Sequence, residues 1–306
     1  MDKKYSYITV LTTENYLIGV LALKECLNRL NSKYRLAVLI NNNITEKTIN
    51  ILKSFDIDVI KIDKIEIPEQ IKMQNSGTNY NRWSNTFDKL RMFSLTQFDK
   101  IVYLDSDMYI RKNIDELFDA EDMSAVIDRH YCTIDPEYME LTSGVLVVEP
   151  KKDLDLEIAK KIPICIEKLE QFGDQDVIQQ YYEDWRLKPN LHLPLVYNMF
   201  ILHLEYFIKS NNPSKFNYRD FQKIDFENLK IIHFICKKKP WDFNKSQIDE
   251  YIEFLNTIRK KDYEDCDIKE QKDMIEAEFS LAPEYTKKVT LEYMDILEKV
   301  SKEIGI

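Results

Sequence analysis

Apolar and polar positions along the first third of the chain fall into alternating blocks. Tyr7 to Leu11 is an apolar run of strand length. Tyr16, Val20, Leu23, Leu27 and Leu30 then recur at helical spacing. Thr12 and Thr13 lie between the two, where a hydroxyl would cap the helix. Leu36 to Ile40 and Val59 to Ile62 read as further strands, with a helical segment over Ile44 to Phe55 between them. Pro68 to Asn81 is polar and reads as a loop. Phe87 to Leu95 is helical in pattern and leads into IVYL at Ile101 to Leu104. This β-α-β-α-β-α-β alternation predicts a parallel sheet covered by helices.

The order is less regular beyond Asp107. Ser124 to Asp128 and Gly144 to Val148 have strand character, as does Ile231 to Ile235. Ile158 to Phe172 and Gln175 to Tyr182 are helical in pattern, and Phe200 to Ile208 forms a helix that carries Tyr206 as a core or surface aromatic. From about Ser246 the chain is helical and acidic, with Val289, Tyr293, Ile296 and Val300 as a stripe. The expected division is a catalytic domain over 1-245 and a helical C-terminal extension over 246-306 packed on it. The acidic helices form a solvated face with a core stripe, and a homodimer interface is the sharper alternative.

Composition narrows the function. A net charge of −10 argues against nucleic acid and anionic lipid as partners, so an anionic substrate needs a local basic group or a metal. Neither a signal-like leader nor a run of membrane-spanning length stands out, so no transmembrane anchor is expected. The 5 cysteines are odd in number and lack CxxC spacing, which fits reduced thiols and a cytoplasmic location.

The chemistry concentrates where the strand IVYL ends on Asp105, Ser106 and Asp107. Two acids one residue apart place hard oxygen ligands at the carboxyl edge of an α/β sheet, where such sheets bind ligands. Carboxylates suit Mn²⁺ or Mg²⁺, and either ion suits a diphosphate. By itself this pattern is shared equally by acids that cap a turn. A second signal is IIHFICKKKPW from Ile231 to Trp241. It sets His233 inside an apolar strand and follows it with a basic turn that could cradle phosphate; Lys237 and Lys238 are expected to be solvated there. Trp241 either closes over the site or packs under the C-terminal helices. Asp174 and Gln175, taken alone, would be a helix N-terminal cap.

An ordered set of motifs resembles glycosyltransferase family 8, the glycogenin-like and bacterial sugar-transferase group. The set comprises VLTTENY from Val10, FDKLRMFSLTQFDKIVYLDSD from Phe87, NIDELFD from Asn113, TSGVLVVEP from Thr142, GDQD from Gly173, LPLVYN ending at Asn198, and HFICKKKPW from His233. The resemblance covers about Tyr7 to Phe243. It implies a GT-A type, Rossmann-like and mostly parallel sheet flanked by helices. It further implies Asp105, Asp107 and His233 as ligands of Mn²⁺, with Mg²⁺ as the other candidate. Leu11, Thr12, Thr13 and Tyr16 match the segment that holds uracil and ribose. Lys89, Ser106 and Asp128 match residues that contact the donor. Ser143 and Gly144 match the loop beside the donor sugar, Asp174 and Gln175 the pair nearest the anomeric carbon, and Lys239 the lysine that grips the leaving diphosphate.

The implied activity is retaining transfer of glucose or galactose from a UDP-sugar to an acceptor hydroxyl that the sequence does not identify. Thr142 stands where the family usually has asparagine, and Cys236 where a glycine often lets the backbone approach phosphate. Tyr206 lies near the family's self-glucosylation segment, but no self-glucosylation is predicted. The competing readings are a UDP-sugar-binding protein without transferase activity and a D-x-D phosphohydrolase.

Overall fold

Seven strands form one sheet in the order β3-β2-β1-β4-β7-β6-β8. The computed structural model describes residues 3–69, 71, 86–128, 140–169, 172–209, 224–265, 272, 276 and 279–305. Strands β1 (Tyr5–Leu11), β2 (Arg35–Ile40), β3 (Asp58–Lys61) and β4 (Lys100–Leu104) run parallel, as the alternating pattern predicts. β1, β2 and β4 are mostly apolar on both faces because both faces are covered, while the edge strand β3 is only half-buried. In β1, Tyr7 and Leu11 face one hydrophobic cluster while Ile8 faces the other; Val102 and Ile101 divide the same way in β4. The connecting helices are α1 (Leu17–Arg29) and α2 (Glu46–Ser54).

The chain turns left of β1 to make β2 and β3, then crosses to its right to make β4. The carboxyl ends of β1 and β4 therefore flank the point where strand order reverses, the usual ligand crevice of such sheets. Strand β7 (Glu140–Val148) lies antiparallel against β4, and β6 (Ala125–Asp128) antiparallel against β7. The start of β7 thus returns to the edge where β1, β4 and β6 end. Strand β8 (His192–Leu193) completes the sheet beside β6. A small second sheet, in the order β5-β10-β9, joins Met108–Ile110, Ile231–His233 and Met199–Phe200.

Several sequence expectations are revised. Phe87–Ser94 winds as a 3₁₀ helix, not an α-helix. Its polar side chains point to partners on other elements, including Asp88 to the Ile65 amide and Arg91 to Asp155 at 2.6 Å. Thr12 and Thr13 do not cap α1 with a hydroxyl. A 3₁₀ turn over Glu14–Tyr16 intervenes, and Thr13 contributes only its carbonyl, to Tyr16 N at 3.2 Å. The helix expected over Ile158 to Phe172 is broken near its start: α3 (Leu154–Ala159) ends there and α4 (Ile162–Lys168) follows, with Pro163 in the first turn of the second. Helix α5 is Asp174–Tyr181. The expected helix from Phe200 is only α6 (Leu204–Lys209) after a 3₁₀ turn, with Tyr206 buried. Most of the predicted polar loop at Pro68 to Asn81, and Cys132 and Cys266, lie outside the described residues. Cys26 and Cys165 are free thiols, and both are buried, as is Cys236.

Toward the C-terminus, α7 (Ile248–Asp265) and α8 (Glu284–Ile304) bury Tyr251, Leu255, Val289 and Tyr293 in the cluster that also holds Tyr7 and Leu11. Tyr293 stacks on Phe234 at 5.1 Å and on Tyr109 at 5.4 Å, so α8 backs the small sheet. No helix among the described residues is long and apolar enough to cross a membrane.

Candidate active site

A cleft of about 440 Å³ opens at the carboxyl edge of the sheet. Asp105 follows β4 directly, and its amide donates to Gly144 O at 2.9 Å. Ser106 and Asp107 form the turn into β5. Strand β10 pairs antiparallel with β5, setting His233 opposite Met108, and the Phe234 amide donates to Asp107 O at 2.9 Å. Two strands far apart in sequence thereby bring His233 to the acids. Its Nε2 lies 3.1 Å from Asp107 Oδ1 and 3.8 Å from Asp105 Oδ2. One potential ligand atom from each of Asp105, Asp107 and His233 falls within 4.8 Å of the others. Two carboxylates and one imidazole are a donor set that could hold a divalent metal ion.

Glycine makes room for this arrangement at two points. A Cβ on Gly144 would sit 2.8 Å from His233 Cε1 and 2.9 Å from Met108 Cε. A Cβ on Gly19 in α1 would sit 2.2 Å from Ser106 O, the backbone between the acids. Trp241 packs here too, 3.0 Å from that same Cβ position and edge-on to Tyr16 at 5.7 Å. It is thus held against α1 and Tyr16.

Each acid also holds a buried lysine. Lys239 Nζ donates to Asp107 Oδ2 at 2.6 Å and to Phe234 O at 2.7 Å. The turn after β10 folds it inward: Pro240 opens a 3₁₀ turn whose Asp242 carboxylate accepts the Lys239 amide. Lys237 and Lys238 stay exposed, as expected. Lys89 Nζ lies 3.0 Å from Asp105 Oδ1 and 2.8 Å from Asp174 Oδ2, and donates to Ser143 Oγ at 3.1 Å. Ser143 Oγ in turn donates to Asp174 Oδ2 at 2.8 Å, and Gln175 Oε1 accepts the Ser143 amide at 3.1 Å. Asp174 opens α5 but spends its side chain on Lys89 and Ser143; Asp176 is the residue that accepts the Gly173 amide at 2.8 Å.

These pairings set the charges. Burial opposes ionisation of Asp107, but Lys239 and His233 outweigh it and hold the carboxyl far below the ordinary range. Burial dominates at Asp105, and with Asp107 and Asp174 nearby its pKa is raised despite Lys89 and His233. Burial opposes the charge on Lys89, yet Asp105 and Asp174 keep its pKa above the usual lysine value. Burial likewise opposes the charge on Asp174, and Lys89 with the hydroxyls of Thr86 and Ser143 overcomes it. At Asp176 burial, then Glu140 and Asp174, outweigh the hydrogen bond from the Gly173 amide and push the pKa up to about 6.

Of the residues singled out from the sequence, Thr12, Thr13, Tyr16, Lys89, Asp105, Ser106, Asp107, Ser143, Asp174, Gln175, His233 and Lys239 line the one cleft. Leu11 does not; its side chain is in the core and Val10 faces the cleft instead. Ser143 and Gly144 are in β7, not in a loop, and Gly144 sits behind His233. Asp128 ends β6 opposite Glu140. Thr142 and Cys236, the two departures noted above, are buried and do not line the cleft. Sequence reasoning gave no role to Tyr103, Thr86, Glu140 or Asp176, nor to Asn198. Tyr103 donates to Asp105 Oδ1 at 2.6 Å, and strand alternation was a usable signal for it. Asn198 stood in a quoted motif, but only strand pairing shows what it touches.

A mostly parallel sheet with an acid–acid–histidine site and two buried lysines at its switch point belongs to the glycosyltransferases of GT-A fold. A model of glycosyl transferase family 8 matches residues 7–245, and the chain belongs to that family. An uncharacterised protein, R707, of Acanthamoeba polyphaga mimivirus is 30% identical over 78% of this chain and 83% of its own length. Mouse glycogenin-1 is 27% identical over 78% of this chain, which spans 66% of that protein. A galactosyltransferase, LgtC, solved with donor and acceptor sugar analogues, shares the fold with a TM-score of 0.53 at 18% identity, over 77% of this chain and 89% of that one.

Proposed function

We propose that this protein transfers a hexose, glucose or galactose, from a UDP-sugar to an acceptor hydroxyl with retention of anomeric configuration, using Mn²⁺ or Mg²⁺. The observation that carries the reading is the convergence of Asp105, Asp107 and His233 beside two buried lysines. A divalent cation on those three residues would neutralise charge building on the departing diphosphate. Lys239 would add a fixed positive charge to the same leaving group, and metal and lysine together supply the main electrostatic stabilisation in this reading. Thr12, Thr13 and Tyr16 form the nucleoside end of the cleft in this reading, and Ser143, Asp174 and Gln175 the sugar end.

The contacts favour front-face substitution over a covalent intermediate. Asp174 Oδ2 already accepts from Lys89 and Ser143, which lowers its nucleophilicity and suits it to orient sugar hydroxyls. Gln175 is uncharged, and its carbonyl oxygen is engaged by Ser143. The bond from C1 to the diphosphate oxygen breaks, the acceptor oxygen bonds to C1 on the same face, and the acceptor proton passes to the departing diphosphate. The family match ending at residue 245 supports a catalytic unit of 1–245 with the later helices packed against it. Buried free thiols fit a cytoplasmic location.

The test is UDP release from UDP-glucose and UDP-galactose with and without Mn²⁺, in the absence of acceptor. Metal-dependent release supports transfer chemistry. Metal-dependent binding without release, even when acceptor sugars are added, favours a binding protein. No binding of any UDP-sugar overturns the reading.

A further inference from the structure

Behind the acids, a directional relay of three side chains ends on His233. Thr142 Oγ1 donates to Val126 O at 2.8 Å, which commits its only proton to β6. The same oxygen can then only accept, and it takes a bond from Asn198 Nδ2 at 2.9 Å. That orients the amide with Oδ1 toward His233, whose Nδ1 is 2.9 Å away. An amide oxygen only accepts, so Nδ1 carries a proton, and Nε2 is the ring atom turned toward Asp107 and Asp105. Thr142, Asn198 and His233 are 3%, 1% and 6% exposed, so water does not compete for these bonds.

We propose that Thr142 and Asn198 are positioning residues that hold His233 as the Nδ1–H tautomer and present Nε2 to the divalent cation. The inference rests on the metal reading above. Its physical content is a choice between two states of one amide. Without the Thr142 hydroxyl as an acceptor, Asn198 is free to flip. Its Nδ2 would then face Nδ1, the ring proton would move to Nε2, and the ligand atom would be blocked. A partner that fixes the far nitrogen of a metal-binding histidine commonly contributes ten- to a hundredfold in metal affinity. Threonine replaces the family's usual asparagine at this position, and it works through β6 and Asn198, not through the cleft.

The test compares wild type with Thr142→Val, which keeps the shape and removes the hydroxyl, and Thr142→Ser, which restores it. Mn²⁺ affinity is read from the free-ion electron paramagnetic resonance signal. The His233 tautomer is read by long-range ¹H–¹⁵N correlation in metal-free protein, assigned by loss of the signal in His233→Gln. The expected result is Nδ1–H in wild type and Thr142→Ser. In Thr142→Val the ring shifts toward Nε2–H and Mn²⁺ affinity falls on the order of tenfold. Wild type that binds Mn²⁺ but has no proton on Nδ1 overturns the relay alone, whether or not the valine variant folds. So does a folded valine variant with unchanged tautomer and affinity. Wild type that binds no Mn²⁺ overturns the metal reading, and the relay's role with it.

Discussion

Lys239 Nζ lies 2.6 Å from Asp107 Oδ2, while the other oxygen of that carboxylate is 3.1 Å from His233 Nε2. One acid thus serves a permanent cation and a candidate ligand at once. The ammonium lowers the affinity of the site for a second cation, and a bound diphosphate relieves the repulsion between them. Lys239→Met should therefore raise the affinity for Mn²⁺ alone by roughly tenfold, about 1.4 kcal/mol, and weaken UDP binding in the presence of Mn²⁺. Titration calorimetry of each ligand checks both signs. A parallel loss of both affinities would show that Lys239 only holds the local fold.

The same pair governs stability. Asp107→Ala leaves the Lys239 ammonium buried with Phe234 O as its one hydrogen-bond acceptor among the described residues, beside the Tyr16 ring at 5.7 Å. Breaking a buried pair on one side costs about 3–5 kcal/mol, whereas removing both charges is close to neutral. Urea unfolding should show a large loss in Asp107→Ala and substantial recovery in the Asp107→Asn, Lys239→Met double variant.

Gly19→Ala should destabilise the protein although alanine is the better helix former by about 1 kcal/mol. The added methyl would lie 2.2 Å from Ser106 O, a backbone atom in the turn that carries both acids. Overpacking against a fixed backbone typically costs about 1–3 kcal/mol, so a net loss is expected together with weaker Mn²⁺ binding. A melting temperature equal to or above wild type would show that the turn yields.

Asp176 gives a pH dependence with a definite sign. Its pKa is raised by burial to about 6 from the ordinary 3.8, so the native state binds more protons than the unfolded state between those values. Its contribution to stability is present at low pH and lost as pH rises through that window, by up to about 3 kcal/mol. Asp176→Asn keeps an acceptor for the Gly173 amide. It should gain stability over wild type at pH 7.5 and little at pH 4, measured by denaturant unfolding.

Tyr251 and Tyr293 carry buried hydroxyls with no hydrogen-bond partner among the described residues. Removing an unsatisfied buried polar group recovers part of a desolvation cost of about 1–3 kcal/mol. Tyr251→Phe and Tyr293→Phe should leave thermal stability unchanged or higher; a clear loss would point to an internal water serving those oxygens.

Much of the fold was legible because short apolar runs and helical spacing are local signals. Strands β1 to β4 emerge from them in the right order, and so does the position of Asp105 at a strand end. Legibility failed where tertiary partners override local preference. The Phe87–Ser94 segment has the spacing of an α-helix, yet Asp88, Lys89 and Arg91 reach partners on other elements and it winds as 3₁₀. Gly144 belongs to a motif, but its role comes from the approach of the His233 ring from another sheet. Leu11 sits in the motif assigned to the nucleoside, yet strand alternation turns its side chain into the core.

The sequence by itself determined which residue types are present at which strand ends, and the order of motifs that marks the family. Those are properties of neighbours along the chain. Only the tertiary structure decided which of them meet: Asp107 and Lys239 are 132 positions apart, and Asp107 and His233 are 126 apart. The antiparallel pairing of β5 with β10 closes that distance, and the parallel pairing of β9 with β10 brings Asn198 behind the histidine. Strand pairing is a long-range choice made by the whole core, so no local pattern in the chain could announce it.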